Sequence, residues 1–330
     1  MGRISISPRD APLWEAQPFH RWRGVCAAQM WERRLGATGT VLTERSRRRG
    51  APTALALVLA LCACSAQAAL PTVVSTDLCS DLLLLKIAAP EQILSVSRQS
   101  QDPQVSPVAE QARRYPANRG SVEDLLHLKP DIALVYFGWT ARRHADLLAT
   151  QGIRAISAPY PRNWQDSLAA VREIAAQIGR KSVGEAKAAE AERRMRALAE
   201  RQRPYRMLYL RPNGGTAGQG TYVDDVITRL GLQNLAREQG LSGWGRFPLE
   251  QLITSPPDVF LLGYFDRSRS KTGSAYGRHP LFRTLLARTP NIRIPGNAWG
   301  CGGLELIGAA EQIAAHLDRL PLGAAADLGD

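Results

Sequence analysis

The segment 163–203 constrains the fold more than any other part of this chain. Apolar residues recur there at Trp164, Leu168, Val171, Ala175 and Ile178, the three-and-four spacing of a helix that buries one face. Helix formers dominate from that point to Pro204. Gly179 predicts the end of a first helix, and Ser182 with Glu185 predicts a capping box that opens a second. At 1.5 Å per residue the second helix alone reaches about 30 Å, enough to join two lobes. On both sides of this segment strand-length apolar runs alternate with helical patterns, which is the signature of an α/β chain. A chain of 330 residues is long enough for two such lobes, each burying its own core.

Ahead of the helical segment, strands are expected at 72–75, 93–97, 132–136 and 154–157, with helices at 77–88, 121–128 and 141–150. Short connections such as Lys129-Pro130-Asp131 and Gln151-Gly152 punctuate them. Behind it, strands are expected at 206–210, 259–262 and 292–294, and helices at 222–230, 248–253 and 304–316. The order of elements repeats, whereas the residues do not. The expected fold is therefore α/β: two Rossmann-like lobes, 69–162 and 204–318, joined by a long rigid α-helical backbone at 163–203. A ligand cleft lies between the lobes, and a disordered tail occupies 319–330.

The N-terminal region carries a different signal. Arg47-Arg48-Arg49 precedes an apolar run over 54–63 and the small-residue triplet Ala66-Gln67-Ala68, so 46–68 reads as a signal peptide cleaved before Ala69. The run is shorter than the roughly 20 residues that span a bilayer. Leu61-Cys62-Ala63-Cys64 is an imperfect lipobox, and the alternative is a lipoprotein acylated at Cys64. Residues 1–45, rich in Arg and Trp without periodic pattern, read as an extension produced by a mis-set start, or as disordered. Export also reframes the charge. The formal net charge is +12, but from Ala69 onward 32 Lys and Arg face 26 Asp and Glu, so half the excess belongs to the first 68 residues. The remainder is scattered along helices without interleaved aromatics, which argues against nucleic acid and leaves a mild preference for anionic ligands.

Two stretches share one pattern, a short acidic helix followed by Pro-Asp and a strand. They are Gly120-Ser121-Val122-Glu123-Asp124-Leu125-Leu126-His127-Leu128-Lys129-Pro130-Asp131 and Phe247-Pro248-Leu249-Glu250-Gln251-Leu252 through Ser255-Pro256-Pro257-Asp258. With the helical linker between them, the chain over 71–317 resembles the helical-backbone class of substrate-binding proteins of ABC importers, which includes ferric siderophore, haem and vitamin B12 binders. The resemblance implies a monomeric periplasmic protein, not an enzyme and without a cofactor. Such a protein captures a ferric siderophore, cobalamin or related metal chelate and delivers it to an inner-membrane permease dimer. By position in the resemblance, Glu123 and Glu250 would meet arginines of the permease. Two exposed carboxylates, one per lobe, can fix the orientation of docking on a basic partner; the plainer reading is acids favoured in a first helical turn.

Open α/β sheets place ligands at the C-terminal ends of their strands. That rule selects Arg98 and Gln99, Tyr136 and Trp139, and Tyr160 in the first lobe, and Asn213, Trp244, Arg246, Tyr264 and Trp299 in the second. Tyr136 and Trp244 also match, by the resemblance, aromatic contacts of the vitamin B12 binder. Aromatic walls suit a large flat chelate, and Arg98 and Arg246 can pair with its anionic oxygens. Core packing is the alternative for each aromatic taken singly. For haem, Tyr136 or Tyr264 would be the direct iron ligand.

Cleavage reduces five cysteines to Cys79 and Cys301. In an oxidising compartment an even pair suggests a disulfide, here one that would bridge the cleft; free thiols, or a thiolate on the metal of the cargo, are the alternatives. The stretch Gly214-Gly215-Thr216-Ala217-Gly218-Gln219-Gly220 lacks the Lys-Ser or Lys-Thr of a phosphate loop and reads as a loop with unusual φ or close backbone approach. His127, His144, His279 and His316 show no metal-ligand spacing, which disfavours a bare zinc or manganese carrier. No hydrolase, zinc-protease or dinucleotide motif is present. The remaining enzyme-class rival is a chelatase-like or metallocofactor-handling protein on a similar pair of lobes.

Overall fold

The computed structural model describes residues 69–136, 144–201, 203–265 and 275–320. The N-terminal extension, the signal peptide with Cys64, and Trp139 lie outside the described residues, as do positions 321–330 of the expected tail. Arg319 and Leu320, placed in that tail by the sequence, instead donate backbone hydrogen bonds to His316 and Leu317 and close the last helix.

The first lobe runs β1 (Val73–Ser75), α1 (Leu78–Ile87), β2 (Ile93–Ser97), β3 (Ala117–Asn118), α2 (Val122–Leu128), β4 (Ile132–Val135), α3 (Ala145–Thr150) and β5 (Arg154–Ser157). Its five strands are parallel in the order β3-β2-β1-β4-β5. The linker is a pair of helices, α4 (Trp164–Gln177) and α5 (Lys181–Ala199). The second lobe contains β6 (Arg206–Leu210), β7 (Gly215–Ala217), α6 (Tyr222–Arg229), β8 (Gln233–Asn234), β9 (Trp244–Arg246), α7 (Gln251–Thr254), β10 (Val259–Gly263), α8 (Pro280–Arg288), β11 (Asn291–Ile294) and α9 (Glu305–Leu317). Here the parallel order is β11-β10-β6-β8, and β7 with β9 forms a separate antiparallel ribbon.

Buried central strands explain why these elements were visible in sequence. β4 and β10 are buried along their whole length, so they read as unbroken apolar runs rather than alternating ones. The Pro-Asp motif has a defined role at the strand starts. The Asp131 carboxylate accepts from the Thr72 backbone N–H at 2.7 Å and Thr72 Oγ1 at 2.8 Å, locking β4 to β1. Asp258 accepts from the Arg206 N–H at 2.7 Å and locks β10 to β6 in the same way.

Three expectations change. The capping box at Ser182 and Glu185 does not form: Arg180 is the N-cap, Ser182 lies inside α5, and Glu185 pairs with Arg172 of α4 at 2.8 Å. The helix expected at 248–253 shrinks to one turn at Gln251–Thr254. Part of the glycine stretch is a strand, β7, although Gly214 and Gly220 on either side do adopt left-handed φ of 78° and 81°.

One apolar core runs through both lobes and the linker, from Val73 and Leu84 through Trp164, Ala188 and Met195 to Tyr209 and Ile313. Gly184 lets α5 approach α4, since a Cβ there would lie 2.3 Å from that of Ala175. Trp164 is fully buried and its Nε1 donates to Glu192 at 2.8 Å, while its backbone N–H donates to Asp225 of α6. Emptying such a site costs about 3–5 kcal/mol.

Candidate ligand cleft

The cleft is built from the ends of strands that the core holds still. In the first lobe β1 runs into α1, whose start is fixed by the N-cap Asp77 accepting from the N–H groups of Cys79 and Ser80, both at 3.0 Å. Behind that turn Asp81 is fully buried and accepts from the hydroxyls of Ser75 and Ser97 and from the Ser97 N–H. Burial outweighs these donors and pushes its carboxyl up to about 7. This knot ties β1, β2 and α1 together beneath the cleft.

Between the lobes lies a cavity of about 570 Å³, in the range that holds drug-sized ligands. Its first-lobe wall includes residues 76–80, Gln99, Arg119, Tyr136 and Tyr160; α4 contributes Ser167, Ala170 and Val171; the second lobe contributes Tyr264 and residues 300–305. Tyr136 is 42 % exposed, and partial burial raises its phenol pKa. A second hollow of about 290 Å³ in the second lobe is bounded by Arg211, Asn213, Thr216, Trp244 and Arg246.

Aromatic side chains connect the two hollows. Tyr160 lies 6.0 Å from Tyr222, and Tyr222 lies 5.4 Å from Trp244, centroid to centroid. Arg211 closes the row: its guanidinium is 4.6 Å from the Trp244 ring, 5.0 Å from Tyr264 and 5.9 Å from Tyr209, and its Nε donates to the Tyr209 hydroxyl at 3.2 Å. Among the described residues no carboxylate pairs with Arg211. Burial penalises its charge, but the phenols of Tyr209, Tyr264 and Tyr222 together offset that penalty and leave its pKa raised. The result is a cation held by aromatic rings and left to face the cleft.

Tyr264 adopts a left-handed backbone at φ 67°, which costs a non-glycine residue about 1–2 kcal/mol. Its ring packs on Gly296 and Gly300, where a Cβ at Gly296 would come within 2.2 Å of it. Those glycines make room for the ring between the cavity and Arg211.

Gln99, Tyr136, Tyr160 and Tyr264 thus border the cavity, while Asn213, Trp244 and Arg246 border the second hollow. Arg246 also braces the loop by donating to the Asn213 carbonyl at 2.9 Å. Two of the selected residues do neither. Arg98 is exposed on the single turn Arg98–Gln101 and borders neither hollow. Trp299 is 0 % exposed and packs on Tyr209, and its carbonyl accepts from the Tyr222 hydroxyl at 2.6 Å. Core packing takes precedence over ligand contact there. Arg211 was overlooked in the sequence, although it follows β6 directly and the strand-end rule would have selected it.

Cys79 and Cys301 are joined by a disulfide, with Cα atoms 5.2 Å apart. Among the described residues no group of three or more His, Cys, Asp or Glu side chains could hold a metal ion. Glu123 is exposed in the first turn of α2, where hydrogen bonds from its own N–H and from Ser121 lower its carboxyl pKa. Glu250 is exposed at the start of α7.

Residues 73–274 match the family model described as periplasmic binding protein. The chain belongs to that family. The match covers the first lobe, the linker and most of the second sheet of this periplasmic binding protein, and places its folded region outside the cytoplasm. No curated protein sequence matches it. Solved structures resemble it in fold. The periplasmic haem-binding protein HutB of Vibrio cholerae superposes with TM-score 0.62 at 23 % identity, covering 75 % of this chain and 98 % of that one. The periplasmic haem-binding protein RhuT of Roseiflexus gives 0.59 at 21 %, covering 78 % and 100 %. The periplasmic vitamin B12-binding protein BtuF of Vibrio cholerae gives 0.55 at 17 %, covering 76 % and 97 %.

Proposed function

We propose that this periplasmic binding protein is the capture component of an ABC importer and takes a metal chelate, a ferric siderophore, cobalamin or haem, between its lobes. The observation that carries the reading is the set of exposed or half-buried aromatics bordering the two hollows, Tyr136, Tyr160, Trp244 and Tyr264, with Arg211 stacked on the last two. Aromatic faces bind a large flat or chelated solute by area, and a guanidinium lacking a carboxylate partner among the described residues supplies the counter-charge for anionic groups on that solute. That HutB and RhuT bind haem and BtuF binds vitamin B12 supports a chelate of this class. A haem cargo draws added support from Tyr136 and Tyr264, phenols at the cavity wall that could reach an iron centre.

Glu123 and Glu250 are the proposed permease contacts, one on each lobe, exposed and in matching positions ahead of β4 and β10. The mature form is proposed to be periplasmic after cleavage before Ala69, with a lipid anchor through Cys64 as the alternative.

The test is a titration of haemin, cyanocobalamin and ferric siderophores against intrinsic tryptophan fluorescence, in which Trp244, at the second hollow, is one reporter. Quenching that saturates for at least one chelate, with a smaller amplitude in Trp244→Phe while binding by calorimetry persists, is the expected outcome. Absence of binding to every chelate would overturn the assignment in favour of a non-metal solute.

A further inference from the structure

Cys79 opens α1 in the first lobe and Cys301 precedes α9 in the second, 222 residues later, and the bond between them crosses from lobe to lobe. Both cysteines border the 570 Å³ cavity, so the bond forms part of the wall of the space assigned to cargo. Two further observations mark the same boundary. Seven residues along α1 from Cys79, on the same helical face, Lys86 reaches Glu305 of α9 at 2.6 Å, with the Glu305 side chain only 10 % exposed. Gly302, next to Cys301, holds a left-handed φ of 63°, and a Cβ there would come within 2.6 Å of Pro161 and 3.0 Å of Tyr222. A loop of five residues, 301–305, therefore carries a covalent tie, an ion pair and a contact that tolerates no side chain, all joining the lobes.

We propose that the Cys79–Cys301 bond is a redox-sensitive clasp on the cargo cleft: oxidised, it fixes the separation of the lobes, and reduced by a dithiol of the oxidoreductase class, it lets them part and release cargo. One thiolate of the dithiol attacks a sulfur of the bond, the S–S bond breaks and a mixed disulfide forms. The second thiolate then displaces the protein sulfur. Cys79 and Cys301 together gain two electrons and two protons, and the dithiol leaves as a disulfide. The wall position of both sulfurs leaves them open to an attacking thiolate while the cavity is empty and lets bound cargo cover them. By linkage, cargo that prefers the clasped cleft makes the bond harder to reduce by the same factor as reduction weakens cargo binding. Only this cargo coupling rests on the function proposed above; the clasp itself does not.

The ligand-free arm of the test compares the oxidised protein with the dithiothreitol-treated protein and with Cys79→Ser/Cys301→Ser by small-angle scattering and by hydrogen exchange over 300–305. The expected result is a larger radius of gyration and exchange at least tenfold faster once the bond is gone. Unchanged scattering and exchange in a sample titrating two thiols per chain would overturn the clasp, as would failure of dithiothreitol to reduce the folded protein. If the double variant does not fold, the reduced wild type decides alone. The cargo arm uses haemin and cyanocobalamin: dissociation at least tenfold faster from the reduced form supports the coupling, and equal rates refute it. If neither probe binds either form, the chelate assignment fails while the first arm still decides the clasp.

Discussion

At the start of β1 and at the start of β6 the two lobes use the same device, a carboxylate after proline that accepts from the neighbouring strand's N–H at 2.7 Å, Asp131 in one and Asp258 in the other. At the opposite ends of those strands they diverge. β1 runs into a capped helix carrying Cys79 and backed by the buried Asp81, whereas β6 runs into Arg211 among Trp244, Tyr264 and Tyr209. Strand starts have one task, register, and one solution suffices for both lobes. Strand ends face the solute, and there the first lobe supplies rigidity while the second supplies charge and aromatic area.

The largest expected effect tests a feature the lobes share. Replacing Glu123 and Glu250 together with alanine should reduce chelate uptake by cells to background while the solution Kd stays unchanged; a weakened Kd would show that these residues belong to the cleft instead. Next comes the rigidity assigned to the first lobe. Because burial raises the Asp81 carboxyl from 3.8 to about 7, the folded state favours the protonated form, so its contribution is fully present below about pH 4 and is lost as pH rises through 7. Chemical unfolding of wild type against Asp81→Asn should show up to about 4 kcal/mol of relative loss between pH 4 and 8. Parallel stability profiles for the two proteins would place the carboxyl at its ordinary value. The charge assigned to the second lobe is tested by Arg211→Met, expected to weaken an anionic chelate about thirtyfold, near 2 kcal/mol, while Tyr136→Ala in the first lobe costs about 1 kcal/mol. Equal losses measured by calorimetry would erase the contrast between the lobes. The smallest effect concerns the shared strand starts: Asp131→Asn and Asp258→Asn should each lower stability by about 1 kcal/mol, by similar amounts.

Legibility in the sequence followed burial. β2 and β5 fall on the expected residues, 93–97 and 154–157, and β6 on 206–210, because each is a strand-length stretch set off by Pro or Gly turns; β2 and β6 are also largely buried, whereas β5 has one buried residue of four. β3 and β8 are two residues long and end in asparagine, too short and polar to stand out from loops. The β7–β9 ribbon escaped because glycine takes one of the three positions in each of its short strands, leaving no alternation to read. In the cleft, position relative to a strand was a better guide than residue type. It found Tyr136, Tyr160 and Tyr264, but it also selected Arg98 and Trp299, since a strand end does not state which way the next turn carries a side chain. Arg211 was missed because Arg211-Pro212-Asn213-Gly214 reads as turn chemistry, and the stacking that makes the cation useful comes from residues 33 and 53 positions later in the chain.

Gln92 donates from Nε2 to the carbonyls of Pro71 and Ile178, at 3.0 and 2.9 Å, and so rivets the end of α4 to the first lobe. At the far end of α5 the buried Arg203 donates to the Leu230 carbonyl and pairs with Asp318, riveting the chain after α5 to the second lobe. The two ends of α5 are then tied to different lobes. Any rotation of one lobe against the other is stored as torsion along α5, as in a bar clamped at both ends, and the bar returns the lobes to their resting angle when the load is removed. Lengthening α5 by whole helical turns should soften that restoring torque without altering the chemistry of the cleft.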